Sequence, residues 1–165
     1  MADDVTLRDI GIGDAGWLIQ QHAELYAQEE GFDATFEPLV AEILADFLRH
    51  RDPSCERAWI AWEGAQRIGS VFCVKGPEPG QAKLRLFLLT PSARGRGLGR
   101  RLLEACIRYA CDRGYRELVL WTHASHRAAC ALYRKAGFVC TDSRAVTSFG
   151  QRLEEQTWRL DLTSI

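Results

Sequence analysis

The stretch that most constrains this chain is Arg94-Gly95-Arg96-Gly97-Leu98-Gly99, set between the apolar run Leu84–Leu89 and an amphipathic segment that begins at Leu98. A strand that ends in a glycine-rich turn and re-enters as a helix gathers unpaired backbone N–H groups at one point. That point is also the positive end of the helix dipole. Glycine lets such a backbone approach an anion with no Cβ in between. Four arginines between Arg94 and Arg101 favour a ligand carrying several phosphates. The formal net charge is only −1, so this basic cluster is local. It points to a small anionic ligand rather than to nucleic acid or an anionic membrane.

Hydrophobic periodicity divides the rest of the chain into alternating short elements. Val5–Ile10 reads as a strand, and a helix follows from Gly13-Asp14 to about Glu30, with Asp14 as its cap and Gly31 as its stop. A second helix from about Thr35 carries Phe36, Leu39, Val40, Ile43, Leu44, Phe47 and Leu48 as a core-packing stripe. Strands are expected at Ala58–Trp62, Arg67–Val74 and Ala82–Leu89, the last two joined by a loop at Lys75–Gly80. The helix after the glycine turn presents Leu98, Leu102, Leu103, Cys106, Ile107 and Ala110, and ends at Gly114. Then come a strand at Glu117–Trp121, a helix capped by Ser125 and running through Lys135, and strands at Phe138–Val146 and Gln156–Leu162. This order, βααβββαβαββ, describes one mixed α/β domain over residues 1–165.

Six cysteines form no C-x-x-C pair and read as small hydrophobes of a reduced, cytoplasmic protein, with no metal site. The start Met1-Ala2-Asp3-Asp4 is unlike a signal peptide, and no apolar run is long enough to span a membrane. Tryptophans Trp17, Trp59, Trp62, Trp121 and Trp158 are expected mostly in the core.

Three nucleotide-binding patterns compete for the glycine turn. A P-loop needs Gly-Lys, which the chain lacks. The dinucleotide pattern G-x-G-x-x-G fails in both registers, because Arg100 and Leu102 stand where a small residue is required. The pattern R-x-x-G-x-G is met by Arg94, Gly97 and Gly99. With Ala131-Leu132-Tyr133-Arg134-Lys135-Ala136-Gly137-Phe138 downstream, the chain resembles the GNAT superfamily of N-acetyltransferases along essentially its whole length. Three further segments resemble the acetyltransferase half of bacterial MarR-type regulator/acetyltransferase fusions: Tyr26–Glu29, Lys83–Leu88, and Ser148-Phe149-Gly150 with Gln156-Thr157-Trp158. The winged-helix half is missing, so no DNA-binding role carries over.

The resemblance implies a mostly antiparallel, twisted sheet flanked by helices, with a splayed slot for acetyl-CoA. It implies backbone amides of Gly95, Arg96, Gly97, Leu98 and Gly99 on the pyrophosphate, with Arg94, Arg96 and Arg100 nearby. Phe87, Leu88 and Leu89 would line the pantetheine arm, an amide near Leu88 or Leu89 meeting the developing oxyanion. Tyr133 matches the general acid. His126 stands where relatives usually carry Asn, so its side chain either replaces that cofactor contact or points to water. The implied activity is direct transfer of an acetyl group from acetyl-CoA to a primary amine, on a small molecule or a protein, in a ternary complex. No covalent acyl-enzyme is expected, since neither motif holds a cysteine. The rival from another class is an acyl-CoA sensor with little turnover.

A lysine-like ammonium must lose a proton before it attacks, at a cost of roughly 4–5 kcal/mol at pH 7. No carboxylate lies between Lys83 and Leu89 to take it. On the first helix Leu18, His22, Leu25 and Glu29 follow helical spacing, which turns His22 and Glu29 inward. Either they form a half-buried hydrogen-bonded pair, or Glu29 is a base or ammonium binder supported by His22. Arg85, a charge within an apolar strand, either binds a substrate carboxylate or snorkels to the surface. A homodimer edge is expected in the strand pair around Ser148-Phe149-Gly150.

Overall fold

The computed structural model describes residues 4–165, in the order read from the sequence. Its strands are β1 (Val5–Arg8), β2 (Arg57–Glu63), β3 (Gln66–Lys75), β4 (Gln81–Leu89), β5 (Glu117–His123), β6 (Val139–Ser148) and β7 (Gln151–Asp161). The helices are α1 (Asp14–Glu30), α2 (Phe36–His50), α3 (Leu98–Asp112) and α4 (Arg127–Lys135). The strands form one sheet in the order β1-β2-β3-β4-β5-β7-β6. Every pairing is antiparallel except β4 with β5.

Two apolar cores sandwich the sheet. One face packs α3 and α4 through Leu98, Leu102, Leu103, Cys106 and Tyr133, with Leu118, Leu120, Trp158 and Leu160 of the sheet beneath them. The other packs α1 and α2 through Leu18, Val40, Leu44 and Phe47 onto Ala58, Ile60 and Phe72. The second core covers the β2–β3 half of the sheet. The same face over β5 and β7 is therefore left largely without a helix above it.

Several local expectations are corrected. Asp14 does not cap α1; Gly13 takes that position in a left-handed conformation. The Asp14 carboxylate is buried and accepts from Gly11 N–H (2.7 Å) and Arg67 Nε–H (2.6 Å), tying α1 to β3. Ser125 is likewise displaced by His126 at the start of α4. On α2 only Val40, Leu44 and Phe47 are buried, while Leu39 and Leu48 face solvent, because the helix lies on the sheet through one narrow row. Trp59 and Trp158 are core residues, but Trp121 is 39% exposed on the open face of β5. The β6–β7 hairpin begins and ends nearer its tip than the alternation indicated. Phe149 and Gly150 both turn with positive φ, at 55° and 75°, which suits a two-residue turn. That tip folds back onto the loop between α1 and α2. Phe149 packs on Phe32 and Phe36, and its carbonyl accepts from Asp33 N–H.

Candidate active site

The glycine turn forms as a cradle. After β4 a short 3-10 turn at Pro91–Ala93 leads to Gly95 (φ 73°) and Gly97 (φ 79°), both left-handed and both open to space where a Cβ would stand. Arg101 N–H is the first to close a bond of α3, onto Gly97 O at 3.1 Å. The amides of Leu98, Gly99 and Arg100 therefore point out of the helix start unpaired. Gly99 serves a different purpose: a Cβ there would meet Leu132 Cδ1 at 2.9 Å and Leu89 Cδ1 at 3.2 Å. Its smallness lets α3 close on α4 and β4. A shallow cleft of about 160 Å³ lies beside the turn, lined by Val5, Arg96, Gly97, Leu98 and Arg101.

The four arginines are engaged in ways the sequence did not reveal. Arg94 makes a two-pronged pair with Glu29 (2.6 and 3.1 Å), Arg96 pairs with Glu63, and Arg100 with Glu104 at 2.8 Å. Arg101 donates to Val5 O at 2.8 Å. The three ion pairs are exposed and contribute little to stability, so a phosphate can displace the carboxylates.

Beside the cradle the sheet opens. β4 and β5 pair only over Gln81–Lys83 and Glu117–Val119. Leu86 then adopts φ 49°, and the β3–β4 register shifts between Ser70 and Phe72. Ser70 Oγ–H locks this bulge by donating to Leu86 O at 2.7 Å. From here the two strands separate, so the edge of Phe87, Leu88 and Leu89 that faces β5 has no strand partner. The cradle, the gap and the bulge fit a long ligand with a phosphate end and an extended, amide-bearing arm. They are the features the resemblance implied for acetyl-CoA.

Tyr133 of α4 is 4% exposed and packs against Phe87, Phe138 and Trp158. Among the described residues its hydroxyl makes no hydrogen bond. Burial, with the Tyr26 hydroxyl adding to it, pushes its pKa well above the ordinary tyrosine value. Tyr133 therefore holds its proton throughout the working pH range.

The helix phase of α1 differs from expectation in its last turn. His22 is buried and turned inward; its Nδ1–H donates to Leu18 O at 2.7 Å, its Nε2 has no partner, and burial lowers its pKa to about 4. Glu29, one turn beyond Leu25, is exposed and held by Arg94 rather than facing the gap. The residues that do face inward are Tyr26 and Glu30, on the row that runs four and eight positions beyond His22. Glu30 Oε1 lies 3.4 Å from His126 Nε2, and His126 Nδ1 lies 3.2 Å from Thr122 Oγ1. The Tyr26 ring packs edge-on against His126 with centroids 5.1 Å apart, and its hydroxyl is pushed up to about 12 by burial and by Glu30. His126 thus faces Glu30 and Thr122, not water. Burial lowers its pKa, which the charge of Glu30 partly offsets. His123 stands beside it, 5.5 Å ring to ring, its own pKa also lowered by burial. Glu30, Tyr26 and His123 escaped the sequence reading. The second inward row of α1 was the available signal.

Arg85 is half-buried on the face that carries α2, in a cleft of about 250 Å³ shared with Phe47, Phe72 and Leu86. Among the described residues no group of three or more His, Cys, Asp or Glu side chains is arranged to hold a metal.

The chain is similar to known proteins in sequence and in fold. The Acetyltransferase (GNAT) family profile matches residues 19–138. N-acetyltransferase 8 of Rattus norvegicus is 32% identical over 130 residues, 76% of this chain and 54% of that protein. Mycothiol acetyltransferase of Arthrobacter sp. (strain FB24) is 30% identical over 151 residues, 87% of this chain and 45% of that protein. The chain thus spans about half the length of these relatives. In fold it is similar to the spermidine N-acetyltransferase of Vibrio cholerae solved with CoA and spermine (TM-score 0.73, 18% identity, 98% of this chain and 97% of that one). An N-acetyltransferase from Staphylococcus aureus Mu50 is similar too (TM-score 0.76, 20% identity, 97% of this chain and 99% of that one). The chain belongs to the GNAT acetyltransferase family. No helix among its described residues is long and apolar enough to cross a membrane.

Proposed function

We propose that this chain is an N-acetyltransferase that moves an acetyl group from acetyl-CoA to a primary amine by direct transfer. Three observations on neighbouring elements carry the reading: the open cradle at Gly95 and Gly97, the edge of β4 left without a β5 partner past Lys83, and the Tyr133 hydroxyl, which has no hydrogen-bond partner among the described residues. The amides of Leu98, Gly99 and Arg100, with Arg94 and Arg96 released from their carboxylates, bind the pyrophosphate. The Phe87–Leu89 edge hydrogen-bonds the pantetheine arm, and an amide at Leu88 or Leu89 stabilises charge that develops on the acyl oxygen. When bound, acetyl-CoA supplies a thioester whose carbonyl carbon is open to an amine. Tyr133, protonated throughout, donates to the leaving sulfur.

The acceptor ammonium gives its proton to Glu30 in this scheme, and Glu29 is not the base. With Thr122 Oγ–H donating to Nδ1 of His126, the Nε2 proton faces the Glu30 carboxylate 3.4 Å away and draws it electrostatically, without a hydrogen bond. Holding the amine and the thioester together supplies most of the rate. The protein acts in the cytoplasm. Its likeness to the acetyltransferase half of MarR-type fusions rests on segments that meet at this site: Tyr26 and Phe149 lie on either side of Phe36, and Gln156 lies beside Trp158. A homodimer, if formed, would use β6, an exposed strand at the free edge of the sheet. The test is mass spectrometry of a panel of amines incubated with isotopically labelled acetyl-CoA. The expected result is a labelled N-acetyl product from at least one amine. Tight CoA binding with no product from any amine would favour the sensor instead.

A further inference from the structure

Lys83 and Arg85 stand two residues apart on β4, so both side chains leave the same face of the sheet. That face is the one left open over β5. Both are half-buried, and among the described residues neither has a hydrogen-bond or ion-pair partner. The acids that share the cleft with Arg85 are engaged elsewhere: Asp46 with His50 at 3.0 Å, and Glu56 with the backbone amides of Asp52 and Lys75. Lys83 Nζ sits 3.9 Å from the centroid of the Trp121 ring, a contact that supports its charge without neutralising it. Burial and the neighbouring Arg85 lower the Lys83 pKa to about 8, which measures how poorly the two charges are balanced. Two cations brought together and partly desolvated cost stability unless an anion joins them.

Their position says which anion. Lys83 is the last residue of β4 paired to β5, opposite Val119, so the two cations mark the closed end of the gap. Phe87, the first residue of the edge assigned to the cofactor arm, lies only two residues past Arg85, roughly 7 Å along the strand. An anion held by Lys83 and Arg85 is thus within one small molecule's length of the point where an amine would be acylated. Phe47, Phe72, Val74 and Leu86 add apolar surface beside Arg85, in a cleft whose outer rim carries Asp46, His50 and Glu56.

Resting on the transferase reading above, we infer that Lys83 and Arg85 form a carboxylate subsite and that the acceptor is a small molecule bearing both a primary amine and a carboxylate, of amino-acid type with an apolar side chain. The guanidinium of Arg85 takes the carboxylate in its planar fork, and Lys83, braced on Trp121, supplies the second charge. A lysine in the middle of a protein chain has no free carboxylate near its amine, so the subsite selects free acceptors over protein side chains.

The test compares glycine, l-leucine and l-phenylalanine with their amides in a thiol-release assay. An amino-acid amide loses its ammonium proton more readily than the acid, so chemistry without recognition favours the amide. We expect at least tenfold higher kcat/KM for leucine or phenylalanine over its amide, with glycine weaker. The ratio should fall toward one in Arg85→Gln and in Lys83→Gln, while Arg85→Lys keeps part of it; urea midpoints establish that each variant folds. Equal or inverted preference in the parent overturns the subsite even if amines are acetylated. Calorimetry with N-acetyl-l-phenylalanine in the presence of CoA gives a second readout: binding that is lost in Arg85→Gln and absent for the N-acetyl amide supports the subsite. If that binding is found but no amine turns over, the subsite stands and the transferase reading falls. No binding and no acid preference overturn the subsite.

Discussion

Gly97→Ala separates the strain of the cradle from its ligand. Gly97 sits at φ 79° before α3, and an added Cβ would meet no heavy atom within 4 Å. The folded apo protein therefore feels only the left-handed backbone cost, about 1–2 kcal/mol. Gly64, in the β2–β3 turn at φ 59° and equally open, is the matched control. Both Ala variants should lose a similar 1–2 kcal/mol in urea unfolding with unchanged slope. They should differ in catalysis. A methyl on Gly97 stands where the pyrophosphate meets the amides, and losing one charge-assisted hydrogen bond costs about 1.5–3 kcal/mol. Gly97→Ala should then raise KM for acetyl-CoA roughly 10- to 100-fold, while Gly64→Ala leaves it unchanged. Equal KM values in the two variants would refute the cradle.

Tyr133→Phe should lower kcat about 10²- to 10⁴-fold with little change in unfolding free energy, since the hydroxyl it removes bonds to nothing among the described residues. Glu30→Gln should reduce kcat/KM at neutral pH, whereas Glu29→Gln should act mainly on KM for acetyl-CoA by releasing Arg94. His22 has a folded pKa near 4 against about 6.5 unfolded, so the unfolded chain binds the extra proton first as pH falls. Stability should drop by about 3 kcal/mol between pH 6.5 and pH 4, and His22→Gln should remove most of that slope in pH-dependent urea titrations. Asp14→Ala leaves Arg67 and the Gly11 amide unpaired and should cost about 3 kcal/mol by the same method.

Periodicity and turn chemistry placed every element in order, because the chain has few conflicts between local preference and burial. The glycine turn and Tyr133 were readable for the same reason: each is a local pattern. What was not readable depended on long-range geometry. Glu29 and Glu30 are neighbours in sequence, and only the pitch of the last turn of α1 decides which one meets His126 and which one Arg94. The partners of Arg94, Arg96 and Arg101 lie 65, 33 and 96 residues away, beyond any spacing rule. Trp121 was expected in the core, yet the part of its face over β5 is largely without a helix above it, and it is 39% exposed. Lys83 carried no role in the sequence reading; its contact with Trp121 and its nearness to Arg85 depend on the pairing of β4 with β5.

Initial-rate kinetics with acetyl-CoA and an accepted amine varied together test direct transfer most directly. Intersecting double-reciprocal lines, with thiol release that requires the amine, are the predicted result. Parallel lines, or a stoichiometric burst of thiol before any amine is added, would contradict it.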